Sequence, residues 1–385
     1  MAPILEVSDL KSKARRRVPK MFFDYADSGS WTESTYRANE DDYHDITLRQ
    51  RVAVDMSNRS LATKMIGQDV TMPLALSPVG FCGMLWADGE ILAAQAAEEF
   101  GVPFTLSTMS ICSIEDVAEN TSKPFWFQLY VMRDKDFVER LIDRAKAAGC
   151  SALVITLDLQ ILGQRHKDVR NGFSGPPKLT PKHMWQIGTR PFWCMAMAQT
   201  NRRTFRNVVG HAKGVEDLKS LGEWTAQQFD PTLSWDDVAW IKDRFGGPVI
   251  LKGILDSEDA KRALNCGVDA IIVSNHGGRQ LDGASSSIRM LPDIVEAVGD
   301  KIEVHVDGGI RSGQDILKAL CLGAKGTYVG RPFLYGLGTA GKAGVARLFE
   351  ILRSELDTTM ALCGERKVTD LSRNNLRSVF GEKVN

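Results

Sequence analysis

The segment SNHGGRQLDG, residues 274–283, combines residue types that acid–base chemistry on a small anion requires. His276 can act as a general base near neutral pH, and Arg279 presents a planar set of donors that matches a carboxylate. The two glycines between them, Gly277 and Gly278, let a ligand approach the backbone closely. A single histidine is more often structural than catalytic, so this interpretation depends on which other residues meet His276 in the fold.

Three charged residues at or just after the ends of other apolar runs are candidates to act with this segment. Asp158 is the best candidate to orient His276 and to stabilise its imidazolium. Arg165 can join Arg279 in a forked clamp on a carboxylate. The residue types leave Lys252 three roles: a Schiff-base nucleophile, a cation beside a ring that becomes anionic on reduction, or a structural ion pair. Two tyrosines are candidate hydrogen-bond donors to the same substrate, Tyr25 and Tyr130.

Two glycine–arginine sequences in the last third of the chain predict a phosphate site. DGGIR places Gly309 and Arg311 directly after one apolar run, and Gly330 and Arg331 follow the next. Glycines expose backbone N–H groups to an anion, and arginines add charge-assisted donors. Either sequence alone is also typical of an ordinary tight turn. The two together, each with an arginine, favour phosphate binding.

Eight short apolar runs, separated by helix-like stretches, predict the scaffold that brings these residues together. The runs are rich in Val, Ile, Leu and Phe without polar alternation, as parallel strands covered on both faces are. The stretches 88–100, 134–148, 256–266 and 313–322 are predicted helices that are each followed by a glycine, and Ser234 can cap another helix. The predicted strands are 74–78, 103–107, 126–130, 153–158, 249–252, 270–274, 303–307 and 327–330.

Eight strands with intervening helices predict an α/β fold, a (β/α)8 TIM barrel whose active site lies at the C-terminal ends of the strands. The candidate residues converge on those ends, which packing alone does not explain. A doubly wound open sheet is the alternative, but no GxGxxG sequence follows an early strand. We predict a single domain, 1–385. It comprises an N-terminal helical extension, 1–70, that closes the barrel base, the barrel, 71–345, and a C-terminal helix and tail, 346–385.

The connection between the fourth and fifth predicted strands is far longer than the others and predicts an insertion at about 174–233. A connection of this length is usually functional, disordered or an insertion with its own structure. Trp185, Phe192 and Trp193 lie beside Arg190 and Arg203, a mixture typical of a segment on an anionic lipid surface. The alternative is a helix packed on the barrel or on another subunit.

Composition argues against several other classes of protein. The 48 basic and 48 acidic side chains give a net charge of zero, so a nucleic-acid partner is not expected. Seven scattered cysteines have no zinc-site spacing and fit a reducing compartment, so we expect no metal and no disulfide framework. The N-terminus lacks a signal-peptide core, and no apolar run reaches the roughly 18 residues of a spanning helix.

The sequence SNHGGRQLDG, with Lys252 before it and DGGIR and GRP after it, resembles the FMN-dependent 2-hydroxy-acid dehydrogenase and oxidase family. The likeness runs from FFDYADSG to MALCGERKVTDL and so covers nearly the whole chain. It implies FMN as cofactor, His276 as base, Asp158 as its partner and Lys252 beside the flavin. It implies substrate binding by Tyr25, Tyr130, Arg165 and Arg279. It implies FMN binding by Pro78, Val79, Gly80, Ser107, Gln128, Thr156, Lys252, Ser274, Asp307, Gly309, Arg311, Gly330 and Arg331.

Within that family, the pattern is most similar to the bacterial respiratory L-lactate dehydrogenases. Gly80 stands where glycolate oxidases tend to have alanine, Met109 where they tend to have tryptophan, and LDLQILGQRHKD adds to the likeness. This implies that L-lactate is oxidised to pyruvate and that a quinone or cytochrome reoxidises the FMN. It also implies a peripheral protein on the cytoplasmic side of the inner membrane and a homo-oligomer, tetrameric or larger.

The alternatives are an oxidase that produces hydrogen peroxide, a mandelate-type dehydrogenase, a soluble cytoplasmic enzyme and a flavin-binding scaffold without turnover. The residues serve hydride transfer and a carbanion mechanism equally.

Overall fold

Eight parallel strands form the centre of the fold. The structure, a computed structural model, describes residues 3–172, 180–212, 215, 228 and 230–384. Neighbouring strands pair in parallel, the last strand pairs with the first, and a bridge between Leu76 and Phe104 joins the first strand to the second, so the barrel is closed. The strands are β1 (Leu74–Leu76), β2 (Thr105–Ser107), β3 (Trp126–Tyr130), β4 (Ala152–Thr156), β5 (Val249–Ile254), β6 (Ala270–Val273), β7 (Glu303–Asp307) and β8 (Gly326–Val329).

The predicted (β/α)8 barrel is confirmed, and each predicted strand lies within two residues of its position in the structure. The strands are apolar on both faces because one face packs inside the barrel and the other packs under the helices. All five residues of β4 are buried, for example. Inside the barrel, Trp126, Val154, Ile250 and Tyr328 belong to a separate apolar cluster that fills its lower part.

Helices surround the barrel, and their ends follow the capping signals of the sequence. Ser234 forms the predicted cap, as a capping box with Asp237, and Asp134 accepts the backbone N–H of Phe137. Gly101 ends one helix in the left-handed conformation. The α-helices of the described residues are α1 (Val7–Arg17), α2 (Lys20–Ala26), α3 (Ser34–Asp41), α4 (Cys82–Leu85), α5 (Gly89–Phe100), α6 (Ile114–Ala118), α7 (Lys135–Ala147), α8 (His166–Arg170), α9 (Pro181–Gly188), α10 (Pro191–Ala198), α11 (Trp235–Phe245), α12 (Ser257–Asn265), α13 (Ser287–Val298), α14 (Gly313–Cys321), α15 (Arg331–Ala340) and α16 (Lys342–Leu362).

The N-terminal segment reaches both ends of the barrel, whereas the prediction for residues 1–70 as a unit was a set of helices that close the base. At the base lies a β-hairpin, Thr63–Met65 with Gln68–Val70, and the Ile66 N–H donates to the Glu303 carboxylate at the start of β7, 3.0 Å away. Helix α2 instead reaches the C-terminal ends of the strands, where the Tyr25 carbonyl accepts from Arg279. A small antiparallel sheet joins the two ends of the chain and consists of Ile46–Leu48, Leu376–Val379 and Glu382–Lys383.

The insertion between β4 and β5 contains α9 and α10, which pack on the outside of the barrel through one face. Trp193 is buried, its indole N–H donates to the Met84 carbonyl at 2.8 Å, and its ring stacks on Phe22. On the other face, Trp185 is 75% exposed and Phe192 is 61% exposed. Parts of the predicted insertion lie outside the described residues, namely 174–179, 213–214, 216–227 and 229. In the described part of the chain, no helix is both long and apolar enough to cross a membrane.

Candidate active site

His276 and Asp158 form a largely buried pair at the mouth of the barrel, where the loops after β6 and β4 meet. His276 Nδ1 lies 2.8 Å from Asp158 Oδ1. Burial lowers the pKa of His276, although Asp158 opposes this effect. Burial would raise the pKa of Asp158, but the charge and hydrogen bond of His276 lower it overall. At neutral pH the pair is therefore a neutral imidazole beside a carboxylate. Its Nδ1–H donates to Asp158, which leaves the Nε2 lone pair available to accept a proton.

The backbone at His276 has a φ of +59°, a left-handed conformation that few residues other than glycine adopt. The backbone N–H of His276 donates to Ser274 Oγ at 3.1 Å. Such conformations cost energy and occur often at functional sites, where the surrounding structure holds them in place. The turn thus fixes the direction in which the imidazole leaves β6.

Lys252 extends from β5 into the barrel beside the same pair. Its Nζ lies 3.1 Å from Asp307 Oδ2 and donates to Ser274 Oγ at 2.8 Å. Burial would lower the pKa of Lys252, but the charges of Asp307 and Asp158 raise it overall. The amine therefore stays protonated and paired, which disfavours a Schiff-base nucleophile. Of the roles left open by the sequence, this geometry favours a fixed cation.

Arg279 and Arg165 lie side by side on the rim. Arg279 Nη1 donates to the carbonyls of Tyr25 at 2.7 Å and Ser28 at 3.1 Å, and to Ser28 Oγ at 2.9 Å. Its guanidinium carbon lies 4.7 Å from the centre of the Tyr25 ring, and Arg165 Nε donates to the Arg279 carbonyl at 3.3 Å. Burial and the neighbouring charge of Arg165 lower the pKa of Arg279. Two adjacent guanidiniums of this kind are chemically suited to a carboxylate.

Two tyrosines complete this group. Burial raises the pKa of Tyr130, and Tyr25 and Asp158 raise it further, so its hydroxyl stays protonated and can donate a hydrogen bond. The Tyr25 ring packs on Phe81, with centroids 4.6 Å apart. The structure thus brings together every residue that the sequence predicted for catalysis or substrate binding.

Several buried polar atoms at the mouth have no hydrogen-bond partner among the described residues. They are Gln128 Nε2, Thr156 Oγ1 and Asp307 Oδ1. The carbonyl oxygen of the Gln128 side chain accepts from Ser107 Oγ at 3.1 Å, which fixes the direction of its amide nitrogen. Buried polar atoms are normally paired, so this set marks a place for a polar ligand.

The loops after β1 and β2 approach each other closely at Gly80, so a larger residue there would require the β2 loop to shift. A Cβ at Gly80 would lie 2.7 Å from the Met109 carbonyl oxygen. The Phe81 N–H donates to the same carbonyl at 3.3 Å. This contact holds Pro78 and Val79 on the same side of the mouth as the end of β2.

The arginines after β7 and β8 lie close together. Gly309 has a φ of +85°, and Gly330 caps α15, so the N-terminus of this helix begins beside them. Arg331 Nη2 donates to the Ser28 carbonyl at 2.7 Å. Burial lowers the pKa of Arg331, and the nearby charge of Arg311 contributes to the shift. Two guanidiniums at a helix N-terminus are a combination of groups suited to an anion.

Comparison with known proteins identifies the family. A family model described as FMN-dependent dehydrogenase matches residues 14–378. The chain belongs to the FMN-dependent dehydrogenase family. The predicted family is therefore confirmed, and so is FMN as the cofactor.

Relatives in the FMN-dependent dehydrogenase family match almost all of the chain. The L-lactate dehydrogenase of Actinobacillus pleuropneumoniae serotype 5b (strain L20) is 46% identical over 374 residues, which cover 97% of this chain and 98% of that protein. The L-lactate dehydrogenase of Haemophilus influenzae (strain PittEE) is 46% identical over 372 residues, which cover 96% of this chain and 97% of that protein. Among solved structures, the monotopic membrane protein (S)-mandelate dehydrogenase has a TM-score of 0.93 at 34% identity, covering 98% of this chain and all of that one. Mandelate oxidase with (S)-2-phenylpropionate has a TM-score of 0.83 at 35% identity, and the match covers 99% of this chain and all of that one.

The residues at the mouth fit the cofactor of an FMN-dependent dehydrogenase. The unpaired atoms of Gln128, Thr156 and Asp307 offer the donors and acceptors that a flavin ring and ribityl chain require. Arg311 and Arg331 would hold the phosphate. When bound, FMN supplies an acceptor for the two electrons of the substrate. Among the described residues, no group of three or more histidine, cysteine, aspartate or glutamate side chains is arranged to hold a metal ion.

Three residues of the site had no predicted role. Gln280 Nε2 donates to the carbonyls of Asp158 and Ile161, each at 2.7 Å, and so ties the loop after β4 to the loop after β6. Asp168 lies 3.6 Å from Arg279. A signal for Asp168 existed, because it follows Arg165 by three positions, a spacing that brings side chains together along a helix. Ser28 gave no such signal, since two of its contacts use its backbone carbonyl.

Proposed function

We propose that this FMN-dependent dehydrogenase oxidises (S)-2-hydroxy acids, with L-lactate as its substrate and pyruvate as its product. The observation that carries the proposal is the His276–Asp158 pair, which lies at the same mouth as Arg165 and Arg279. A 2-hydroxy acid offers its hydroxyl group to the imidazole and its carboxylate to the guanidiniums. The 46% identity to L-lactate dehydrogenases over nearly the whole chain supports lactate as the particular acid.

His276 is the proposed base of the reaction. Its Nε2 takes a proton from the substrate, and the Asp158 carboxylate, 2.8 Å from Nδ1, stabilises the imidazolium that forms. Arg165 and Arg279 hold the substrate carboxylate, which places the carbon that bears the hydroxyl group beside the imidazole. The remaining hydrogen bonds to the substrate come from Tyr25 and Tyr130.

The proposed FMN site has three parts. Lys252, fixed by Asp307 and Ser274, would supply a cation to stabilise negative charge on the flavin ring. The ring and ribityl chain are held by Pro78, Val79, Gly80, Ser107, Gln128, Thr156, Ser274 and Asp307. The phosphate is held by Gly309, Arg311, Gly330 and Arg331.

The proposed electron acceptor is a quinone or cytochrome at a membrane surface. Four exposed apolar side chains on α9 and α10 support this location, namely Met184, Trp185, Phe192 and Met195. The Arg17 guanidinium lies 5.7 Å from the centre of the Phe192 ring, so basic and apolar groups share one surface, as segments at anionic bilayers do. The (S)-mandelate dehydrogenase at a TM-score of 0.93 is described as a monotopic membrane protein. We place this enzyme on the cytoplasmic side of the inner membrane, as a homo-oligomer that is tetrameric or larger.

Anaerobic mixing of the holoenzyme with single acids tests the substrate. L-Lactate should bleach the flavin absorbance with a higher second-order rate constant than glycolate, (S)-mandelate or D-lactate. D-Lactate is the matched control because it differs from L-lactate only in handedness. Preferential bleaching by (S)-mandelate would assign a mandelate-type dehydrogenase instead. If none of the acids bleached the flavin, the proposal would be contradicted and the protein would be a flavin-binding scaffold.

Reoxidation of the reduced enzyme tests the acceptor. A short-chain quinone should restore the flavin absorbance faster than air-saturated buffer does, with little hydrogen peroxide formed. Hydrogen peroxide at the full rate of turnover would identify an oxidase and would overturn the proposed acceptor.

A further inference from the structure

Asp168, in the first turn of α8, is a buried acid beside the two rim arginines. It is 8% exposed, and its Oδ2 lies 3.6 Å from Arg279 Nη2. Neither Asp168 Oδ1 nor Arg279 Nη2 makes a hydrogen bond within the described part of the chain. Burial raises the pKa of Asp168, although the charges of Arg279 and Arg165 oppose the shift. Burial of a carboxylate costs free energy unless a cation pairs with its charge. The position of Asp168 beside the arginines therefore needs an explanation.

The contacts of Arg279 divide between its two terminal nitrogens. Nη1 donates to the Tyr25 carbonyl and to the carbonyl and hydroxyl oxygens of Ser28. Nη2 faces Asp168, which is the one acid within 4.0 Å of an Arg279 nitrogen in the ranges that the structure describes. Arg165 lies beside the same guanidinium and repels it. Asp168 therefore supplies the negative charge that keeps two cations close together.

We propose that Asp168 is a positioning residue that holds the Arg279 guanidinium in the orientation that receives the substrate carboxylate. Without the acid, repulsion from Arg165 favours rotamers of Arg279 that point away from the mouth. With it, the pair is arranged before the substrate arrives, and binding loses less conformational entropy. The inference rests on the proposed function, in which these two arginines bind the carboxylate of a 2-hydroxy acid.

Substitution of Asp168 in the holoenzyme tests this role. Asp168→Asn should raise the KM for L-lactate by about ten-fold or more, because the loss of one partner of a buried charged pair weakens binding. The kcat should stay within about three-fold, because His276 and the flavin are untouched. Asp168→Glu keeps the charge and should recover most of the lost affinity. Asp116→Asn is the matched control, since Asp116 is a buried aspartate that accepts from Arg202 Nε at 2.9 Å rather than from either rim arginine, and its KM should not change.

A neutral substrate separates positioning from a general structural role. The methyl ester of L-lactate carries no carboxylate, so flavin reduction by this ester should proceed equally fast in the wild type and in Asp168→Asn. A structural defect would slow reduction by the ester and by L-lactate alike. Equal losses for both compounds, or a KM for L-lactate within about two-fold of the wild type, would overturn the inference.

Oxalate binding keeps the test independent of turnover. Its dissociation constant, followed through the flavin absorbance, should rise by about ten-fold or more in Asp168→Asn even if no 2-hydroxy acid reduces the wild type. Failure of the proposed function would therefore appear as no flavin reduction by any 2-hydroxy acid. Failure of this inference would appear as an oxalate dissociation constant that does not change in Asp168→Asn. If Asp168→Asn does not retain flavin, Asp168→Ser, which also removes the negative charge, decides. A changed oxalate affinity with unchanged reduction by the methyl ester supports the inference, and an unchanged affinity overturns it.

Discussion

His276 is suited to accept a proton because the fold keeps it neutral and fixes its direction. Burial lowers its pKa, Asp158 binds Nδ1, and the left-handed backbone at +59° sets the path of the side chain. Lys252 is the opposite case, since Asp307 and Asp158 raise its pKa and keep it charged. At the same pH, His276 is therefore neutral and Lys252 is positively charged, although both lie in one cavity. Burial sets the first state, and the neighbouring carboxylates set the second.

Substitution of the base is the most direct test at this scale. His276→Gln should retain FMN, because the phosphate residues are unchanged, and should lose turnover by about 10²- to 10⁴-fold, the usual contribution of a general base. Flavin content and kcat with L-lactate are the measurements. His44→Gln is the control, since His44 is exposed and contacts only the nearby Asp41 carbonyl among the contacts described. Normal turnover in His276→Gln would refute the assignment.

The pH dependence of kcat/KM should report the same residue. A base must be neutral to accept a proton, so activity is present above its pKa and is lost as the pH falls through it. Because the pKa of His276 is lowered, the acid limb should lie below the ordinary range of a free histidine. An acid limb at or above that range would contradict the neutral-base assignment.

At the scale of helices and strands, the pattern of apolar residues predicted the elements that are buried by tertiary packing. The eight strands were found because buried parallel strands are continuous apolar runs. The helix Ser287–Val298 was not predicted, since Pro292 within it argues against a helix in a local analysis. The hairpin at the base was missed because its strands, Thr63–Met65 and Gln68–Val70, are short and partly polar. The role of Ser28 became visible only when the segment after α2 was placed beside the loop after β6.

The exposed face of α9 and α10 gives a prediction at this scale. Trp185→Ser with Phe192→Ser should release the enzyme from vesicles of anionic lipid without loss of flavin, because both side chains are exposed. Cosedimentation with the vesicles is the measurement, and Val52→Ser with Leu362→Ser, two other exposed apolar residues, is the control. Deletion of the helices would be a poorer test, since Trp193 packs against the barrel. Unchanged sedimentation of the double variant would place the membrane contact elsewhere.

At the scale of the whole molecule, the cofactor site joins segments that are far apart in the sequence. The β1 and β2 loops, β5, β6 and the β7 and β8 loops all contribute residues. The barrel topology made this convergence predictable, because parallel strands bring their C-terminal ends to one rim. Apart from the predicted role of Tyr25, the contacts between the N-terminal helices and that rim were not predictable, since no periodicity in the sequence specifies where a segment outside the barrel docks.

Removal of FMN should therefore destabilise the entire fold. A ligand that binds only the folded state stabilises it, by about 2.7 kcal/mol at a concentration 100 times its dissociation constant. The thermal midpoint of the apoprotein should rise on addition of FMN. Riboflavin, which lacks the phosphate, should raise the thermal midpoint less, because the contacts of Arg311 and Arg331 with the phosphate are then missing. Equal shifts with both ligands would exclude a phosphate site at these arginines.

The carbonyl oxygen of Ser28 accepts from Arg279 at 3.1 Å and from Arg331 at 2.7 Å. One arginine is assigned to the substrate and the other to the cofactor phosphate, so a single peptide group is shared by two binding sites. Any ligand that draws one guanidinium away from this oxygen changes the hydrogen bonding of the other. Substrate and FMN affinities are then thermodynamically linked, and the linkage is reciprocal. The factor by which oxalate changes the affinity for FMN equals the factor by which FMN changes the affinity for oxalate.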